Sequence, residues 1–88
     1  MSNATLKTKI ENAFTPYAKA FCAKPAQATV TVIVDDSDAI AIFTMHAADL
    51  ATIEGDANLK SVVTRAYNGL VRHVSQHGRV PILAYQAR

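Results

Sequence analysis

The chain has 88 residues, half of them hydrophobic and 18% charged, a balance that belongs to a folded globular chain and not to a disordered one. That length leaves room for a single core, so residues 1–88 are expected to form one domain. A net charge of +2 and a single cysteine argue against a strongly basic nucleic-acid binder and exclude an intrachain disulfide.

No apolar run approaches the ~20 residues that span a bilayer. Met1-Ser2-Asn3-Ala4 has no basic stretch leading into an apolar one, so no signal peptide is expected there. With Cys22 unpaired, a cytoplasmic, reducing setting is the expectation. A domain of this size buries only about 60% of its unfolded surface, which favours a homo-oligomer or a protein partner.

Leu6, Ile10, Phe14, Tyr17 and Phe21 recur at steps of four, four, three and four, one stripe of an amphipathic helix. Asn3 is the candidate N-cap. Thr15-Pro16 has the form of a cap followed by proline at a first helical position, so the helix is expected to run to about residue 14 and then to kink or restart as far as about residue 24.

Residues 29–34 read Thr-Val-Thr-Val-Ile-Val, a β-branched run that predicts a strand. Asp35-Asp36-Ser37-Asp38 is turn chemistry, and residues 39–46 return as a second strand. Pairing Val34 with Ala39 puts Val30, Val32, Val34, Ala39, Ala41, Phe43 and Met45 on one face. The other face holds Thr29, Thr31, Ile33, Ile40, Ile42, Thr44 and His46; the first is wholly apolar and the second half apolar, so neither is expected to be fully solvated.

Residues 47–54 predict a short helix stopped by Gly55. Asp56 then caps a long helix to about residue 77, with Gly78 at C′. Its buried stripe is expected at Leu59, Val62, Val63, Ala66, Leu70 and Val74. Residues 80–86 predict a last strand, confined by Pro81 to an edge or a strand start. The expected fold is therefore α+β, a two-layer α-β-β-α-β domain whose three-stranded, mainly antiparallel sheet packs against helices. The first strand is expected in the middle.

Few residues suggest chemistry. His73 and His77 are four apart on the long helix, a spacing that suits a metal. No spacing nominates a third ligand among His46, Cys22 and Asp49, and histidines in a last helical turn also suit the helix dipole. Asp35, Asp36 and Asp38 lack the distal bidentate Glu of a calcium loop; a hairpin turn accounts for them, and an acidic patch remains open. Cys22 lies between apolar neighbours, where a thiol is inert. No phosphate loop, dinucleotide fingerprint, Cys-x-x-Cys or His-Glu-x-x-His occurs. Neither an enzyme nor a cofactor is expected.

Opposite the expected stripe, the long helix carries Ser61, Thr64, Asn68, Val71 and Ser75, five uncharged residues within a sector of about 80°. Depletion of charge marks interface cores. The leading expectation is a non-catalytic protein-interaction module that meets a copy of itself or a partner protein through this helix face, or through Ile33, Ile40 and Ile42 and the sheet edge. An accessory or inhibitory protein of a phage or mobile element would suit a chain this short. The alternative is a small nucleic-acid-binding regulator using Arg65, Arg72 and Arg79, with salt-dependent affinity.

Overall fold

The computed structural model describes residues 2–75 and 78–88. The elements are helix α1 (Asn3–Lys19), a 3-10 turn (Pro25–Gln27), strands β1 (Thr29–Val34) and β2 (Asp38–Met45), helices α2 (Ala47–Glu54) and α3 (Ala57–Val74), and strand β3 (Val80–Ala87). This is an α+β fold in two layers, a three-stranded mixed sheet with the helices packed on one face.

Helix α1 is one element. Ser2, not Asn3, caps it, its Oγ accepting from the Thr5 amide at 3.1 Å. Pro16 lies inside the helix and neither breaks nor restarts it. The proline leaves the Asn12 carbonyl without its helical donor, and both residues are exposed, so water can replace the lost bond. Ala18 takes the buried position after Phe14, and Tyr17 is 38% exposed.

β1 and β2 form an antiparallel hairpin in the expected register, Val34 opposite Ala39 and Thr29 opposite Thr44. Its turn is held by Asp35, whose Oδ1 accepts from the amides of Ser37 at 2.8 Å and Asp38 at 2.7 Å. The sheet order is β1-β2-β3, so β2 is central, where β1 was expected. β3 pairs with β2 in parallel, Asp38 opposite Val80 through Met45 opposite Ala87. The sheet is therefore mixed. A helical connection returns the chain over the sheet so that the next strand runs parallel to the last, and the strand chosen as neighbour is the most buried one. Ala39, Ala41, Phe43 and Met45 of β2 are all fully buried, whereas β3 contributes no fully buried residue.

The core lies between the sheet and the helices. Leu6, Ile10, Phe14 and Ala18 of α1 and Val63, Tyr67 and Val71 of α3 meet Val32 and the four buried residues of β2. Phe14 sits at the centre, its ring edge-on to Tyr67 at 5.1 Å and to Phe43 at 6.4 Å, an arrangement that aromatic quadrupoles favour. Each such side chain contributes about 1.5–3 kcal/mol by leaving water.

Helix α3 is turned relative to expectation. Its buried line is Val63, Tyr67 and Val71, about 70° around the helix, at 100° per residue, from the middle of the expected stripe, of which Val63 is fully buried and Leu59, Leu70 and Val74 are partly buried against the core. Val62 is exposed. The helix is flanked by α1 on one side and lies over β3 on the other, so it buries a broad arc. Tyr67 occupies the middle because its hydroxyl donates to the Ala39 carbonyl at 2.6 Å. α3 ends at Val74, short of the expected residue 77; Gly78, at φ +67°, supports the left-handed backbone that leads into β3.

Candidate protein-interaction surface

Because side chains alternate along a strand and the helices lie on one side, the second face of the sheet has no layer over it among the described residues. Three registered rows cross it: Ile33, Ile40 and Ile82; then Thr31, Ile42 and Ala84; then Thr29, Thr44 and Gln86. Ile33 is 51% exposed, Ile82 41%, and Val80 at the end of β3 54%. Ile40 and Ile42, on the central strand, are half-buried by their strand neighbours alone. From Val80 to Gln86 and across to β1, the only charged side chain on this face is Asp38, at one corner. Of the residues singled out in the sequence, Ile33, Ile40 and Ile42 are thus together on one open surface. Ile82 and Val80, missed there, complete it, since only the β2–β3 register shows that they join the same rows.

The uncharged flank of α3 is a different matter. Val71 is 0% exposed and Ser75 is buried, while Ser61, Thr64 and Asn68 are half-buried. The expectation of an outward face is overturned for Val71 and Ser75, while Ser61, Thr64 and Asn68 stay partly exposed. Thr64 and Tyr85 share a hydrogen bond at 2.7 Å, and the Lys60 ammonium lies 5.3 Å from the centre of the same ring. The flank is small and uncharged because its lower part packs against the chain's own third strand. Burial holds the Tyr85 phenol above its usual pKa, partly offset by the Thr64 hydrogen bond and by Lys60.

The two sheet edges are unlike. On β1, the outward amide of Val32 donates to Glu11 Oε2 of α1 at 3.0 Å, and Lys7 bridges both oxygens of the same carboxylate. Desolvation acts to raise the Glu11 pKa, but the Val32 amide and Lys7 together hold it below the usual value. On β3, the amides of Val80 and Arg88 reach inward, to the carbonyls of Ser37 and Met45. With a period of two, the amides of Leu83, Tyr85 and Ala87 therefore point outward, and none has a hydrogen-bond partner among the described residues. Pro81 belongs to this outward set, so its missing N–H costs no ladder bond.

The remaining polar candidates have structural work. Arg79 donates to the Asp35 carbonyl at 2.7 Å, to Asn3 Oδ1 at 2.7 Å and to Ser75 Oγ at 3.1 Å, tying the start of α1 and the end of α3 to the hairpin turn. It is removed from any basic row, and Arg65 and Arg72 are left exposed on the outer side of α3. The hydrogen bonds from Asp38 and Ser37 lower the Asp35 pKa, with a smaller contribution from Arg79. Asp36 meets the Asn3 side chain at 3.4 Å. Asp49 is buried and accepts from the amides of Ala23 and Lys24 at 2.9 and 3.0 Å. His46 caps α2, its Nδ1 accepting from Ala48. His73 is exposed, and His77, its expected companion, lies outside the described residues. Among the described residues no three His, Cys, Asp or Glu side chains converge as metal ligands. Burial, and then the Asp49 carboxylate, push the Cys22 thiol up, away from the thiolate that reacts.

Between α1 and α3 a small apolar groove of about 190 Å³ is lined by Ala13, Phe14, Tyr17, Ala66 and Leu70. Among the described residues no helix is long and apolar enough to cross a membrane. The chain matches no protein-family model, no curated protein and no solved structure.

Proposed function

We propose that this chain is a non-catalytic protein-interaction module that presents the open sheet face to the apolar surface of a partner polypeptide. The row Ile33, Ile40 and Ile82, which crosses all three strands with Ile33 and Ile82 exposed and Ile40 half-buried between them, carries this reading. A patch of this kind on a small folded chain marks a contact site. Its centre is branched aliphatic and its rim is threonine and glutamine, the apolar core and polar rim of an interface. The face between Val80 and Gln86 has no lysine, arginine or aromatic ring, and so lacks the stacking platform and phosphate contacts of a nucleic-acid surface. The polar side chains that elsewhere suggest chemistry, Glu11, Asp35, Asp49 and Arg79, are engaged in holding backbone, which favours a binding role over a catalytic one. An accessory or inhibitory protein of a phage or mobile element would work in this way, by covering a surface and not by turning over a substrate.

The test is affinity capture from the native source with the wild type and with Ile33→Glu/Ile82→Glu, followed by carbene footprinting of the captured complex. Both substitutions fall on exposed positions, so circular dichroism should be unchanged. The expected result is a stoichiometric polypeptide that shields Ile33, Ile40 and Ile82 from labelling and is lost with the double variant. A partner that binds the double variant equally well, or leaves those residues fully labelled, overturns the proposal.

A further inference from the structure

We infer that β3 pairs with β3 of a second copy, antiparallel about a two-fold axis, so that two three-stranded sheets become one. The starting observation is the unequal treatment of the two edges. An open strand edge is a template for another strand, and folded proteins usually blunt it with charge, a bulge or a covering element. The β1 edge is blunted at its middle, where the Glu11 carboxylate takes the Val32 amide and α1 packs against the strand. The β3 edge is left bare, with the Leu83, Tyr85 and Ala87 amides outward and without partners among the described residues. Val80–Ala87 reads Val-Pro-Ile-Leu-Ala-Tyr-Gln-Ala and holds no charge of either sign. A strand with no charge needs no partner of opposite charge, and a second copy of itself meets that condition.

The register follows from the pattern of outward groups. Placing the axis at Ala84 sets Leu83 opposite Tyr85 of the second copy twice over, and Ala87 opposite Pro81. Leu83 and Tyr85 then exchange both their bonds, and the Ala87 amide donates to the Pro81 carbonyl, about six interchain hydrogen bonds in all. Pro81 costs one donor at each end and nothing in the middle. Ala84 meets Ala84 at the narrow, non-hydrogen-bonded position, where small side chains fit best.

Helix α3 supplies the second layer of the same contact. The Thr64–Tyr85 hydrogen bond fixes Thr64, and with it the half-buried, uncharged Ser61 and Asn68, beside β3, and the Lys60–Glu54 ion pair borders this flank over the Tyr85 ring. Across the axis these flanks face one another, and their short side chains allow the helices to approach to the ordinary packing distance of about 8–10 Å. An edge roughly 25 Å long, the span of eight strand residues, and as deep as the 16 Å shortest extent of the molecule has a footprint of about 400 Å² per copy and about 800 Å² over both, below the ~1,200 Å² at which standard stable interfaces begin. The backbone bonds make it specific. The open faces of the two copies are then continuous, with Ile82 of each copy beside Gln86 of the other, which leaves the surface proposed above free for its partner.

Two measurements test the pairing on the full chain. Light scattering after size exclusion is expected to give twice the 9.5 kDa chain mass, and amide exchange by NMR is expected to show Leu83, Tyr85 and Ala87 protected as strongly as the inward amides of Ile82 and Ala84. Asn68→Arg and Ser61→Lys, both at half-exposed positions, place like charges across the axis. They are expected to halve the mass and to speed exchange at Leu83 and Tyr85 at least tenfold, whereas Ile33→Glu/Ile82→Glu is expected to leave the mass at two chains. A monomer at high concentration overturns the pairing. So does a dimer whose Leu83 and Tyr85 amides exchange freely and which Ile33→Glu/Ile82→Glu dissociates, since that is two open faces stacked. A monomer that still captures a partner through Ile33 and Ile82 overturns only the pairing and not the function proposed above.

Discussion

The carboxylate of Glu11 accepts the backbone amide of Val32 at 3.0 Å while it is bridged by Lys7. A helix side chain thus fills the place of a missing strand on one edge of the sheet, and it ties α1 to β1 at a point where no side chain of β1 is polar.

Removing that charge has a pH signature. Because the Glu11 pKa is lowered on folding, its contribution is present above the ordinary carboxylate range and is lost as pH falls through the depressed folded value, roughly from pH 5 downward. Asp35, also lowered, acts in the same direction. Glu11→Gln is expected to cost about 0.5–1.5 kcal/mol at pH 7 and to leave a shallower acid limb, because the wild type loses this contribution at low pH and the variant has none to lose. Urea midpoints at pH 7 and near pH 3.5 measure both.

Tyr67 lies fully buried with its hydroxyl on the Ala39 carbonyl. Burial raises its phenol pKa, so the group stays a neutral donor throughout the stable range. Tyr67→Phe keeps the ring against Phe14 and removes one bond, an expected loss of about 1 kcal/mol. Tyr67→Ala opens the centre of the core and is expected to cost about 3–5 kcal/mol. Thermal melts separate the two.

Asp49 anchors the segment between α1 and β1 through two amide bonds to Ala23 and Lys24. Asp49→Ala leaves both amides without their acceptor, an expected loss of about 2–4 kcal/mol, and Asp49→Asn, with one acceptor oxygen, about half as much. Limited trypsin digestion should show earlier cleavage after Lys19 in the alanine variant than in the wild type.

The arginines divide by structural role. Arg79→Ala removes three hydrogen bonds at the junction of α1, the hairpin turn and the end of α3, and is expected to lower stability by about 1–2 kcal/mol. Arg65→Ala/Arg72→Ala, on the exposed side of α3, should change it by less than about 0.5 kcal/mol. Fluorescence anisotropy with labelled duplex DNA and RNA at physiological salt is expected to show no binding by the wild type. Binding that weakens steeply with salt and with the double variant would favour a nucleic-acid regulator instead.

Local structure was legible wherever a short-range rule acts alone. The hairpin and its register follow from Asp35 and the alternation of Val30, Val32 and Val34. The α2 boundaries follow from Gly55, and the start of α3 from Asp56, whose Oδ1 accepts the Leu59 amide. Two local readings failed because a neighbour outweighed the local preference. Pro16 stays within α1 because its exposed side tolerates the missing bond, and because Phe14 and Ala18, either side of it, are held in the core. The turn of α3 was hidden because Val63, Tyr67 and Val71, spaced by four, compete as a stripe with Leu59, Ala66 and Leu70, and tyrosine reads as polar until its hydroxyl finds Ala39.

What the amino-acid order determined by itself is the set of elements, one well-paired hairpin and a half-apolar second face on that hairpin. These depend on contacts between residues close in sequence, on side-chain period and on turn chemistry. What only the tertiary structure decided is which strand became central, which way α3 faces, and that Ile82 joins Ile33 and Ile40 on an open surface. Each of these is a choice between packings of nearly equal local energy, made by long-range burial of Phe43, Tyr67 and Val71, and no spacing along the chain encodes it.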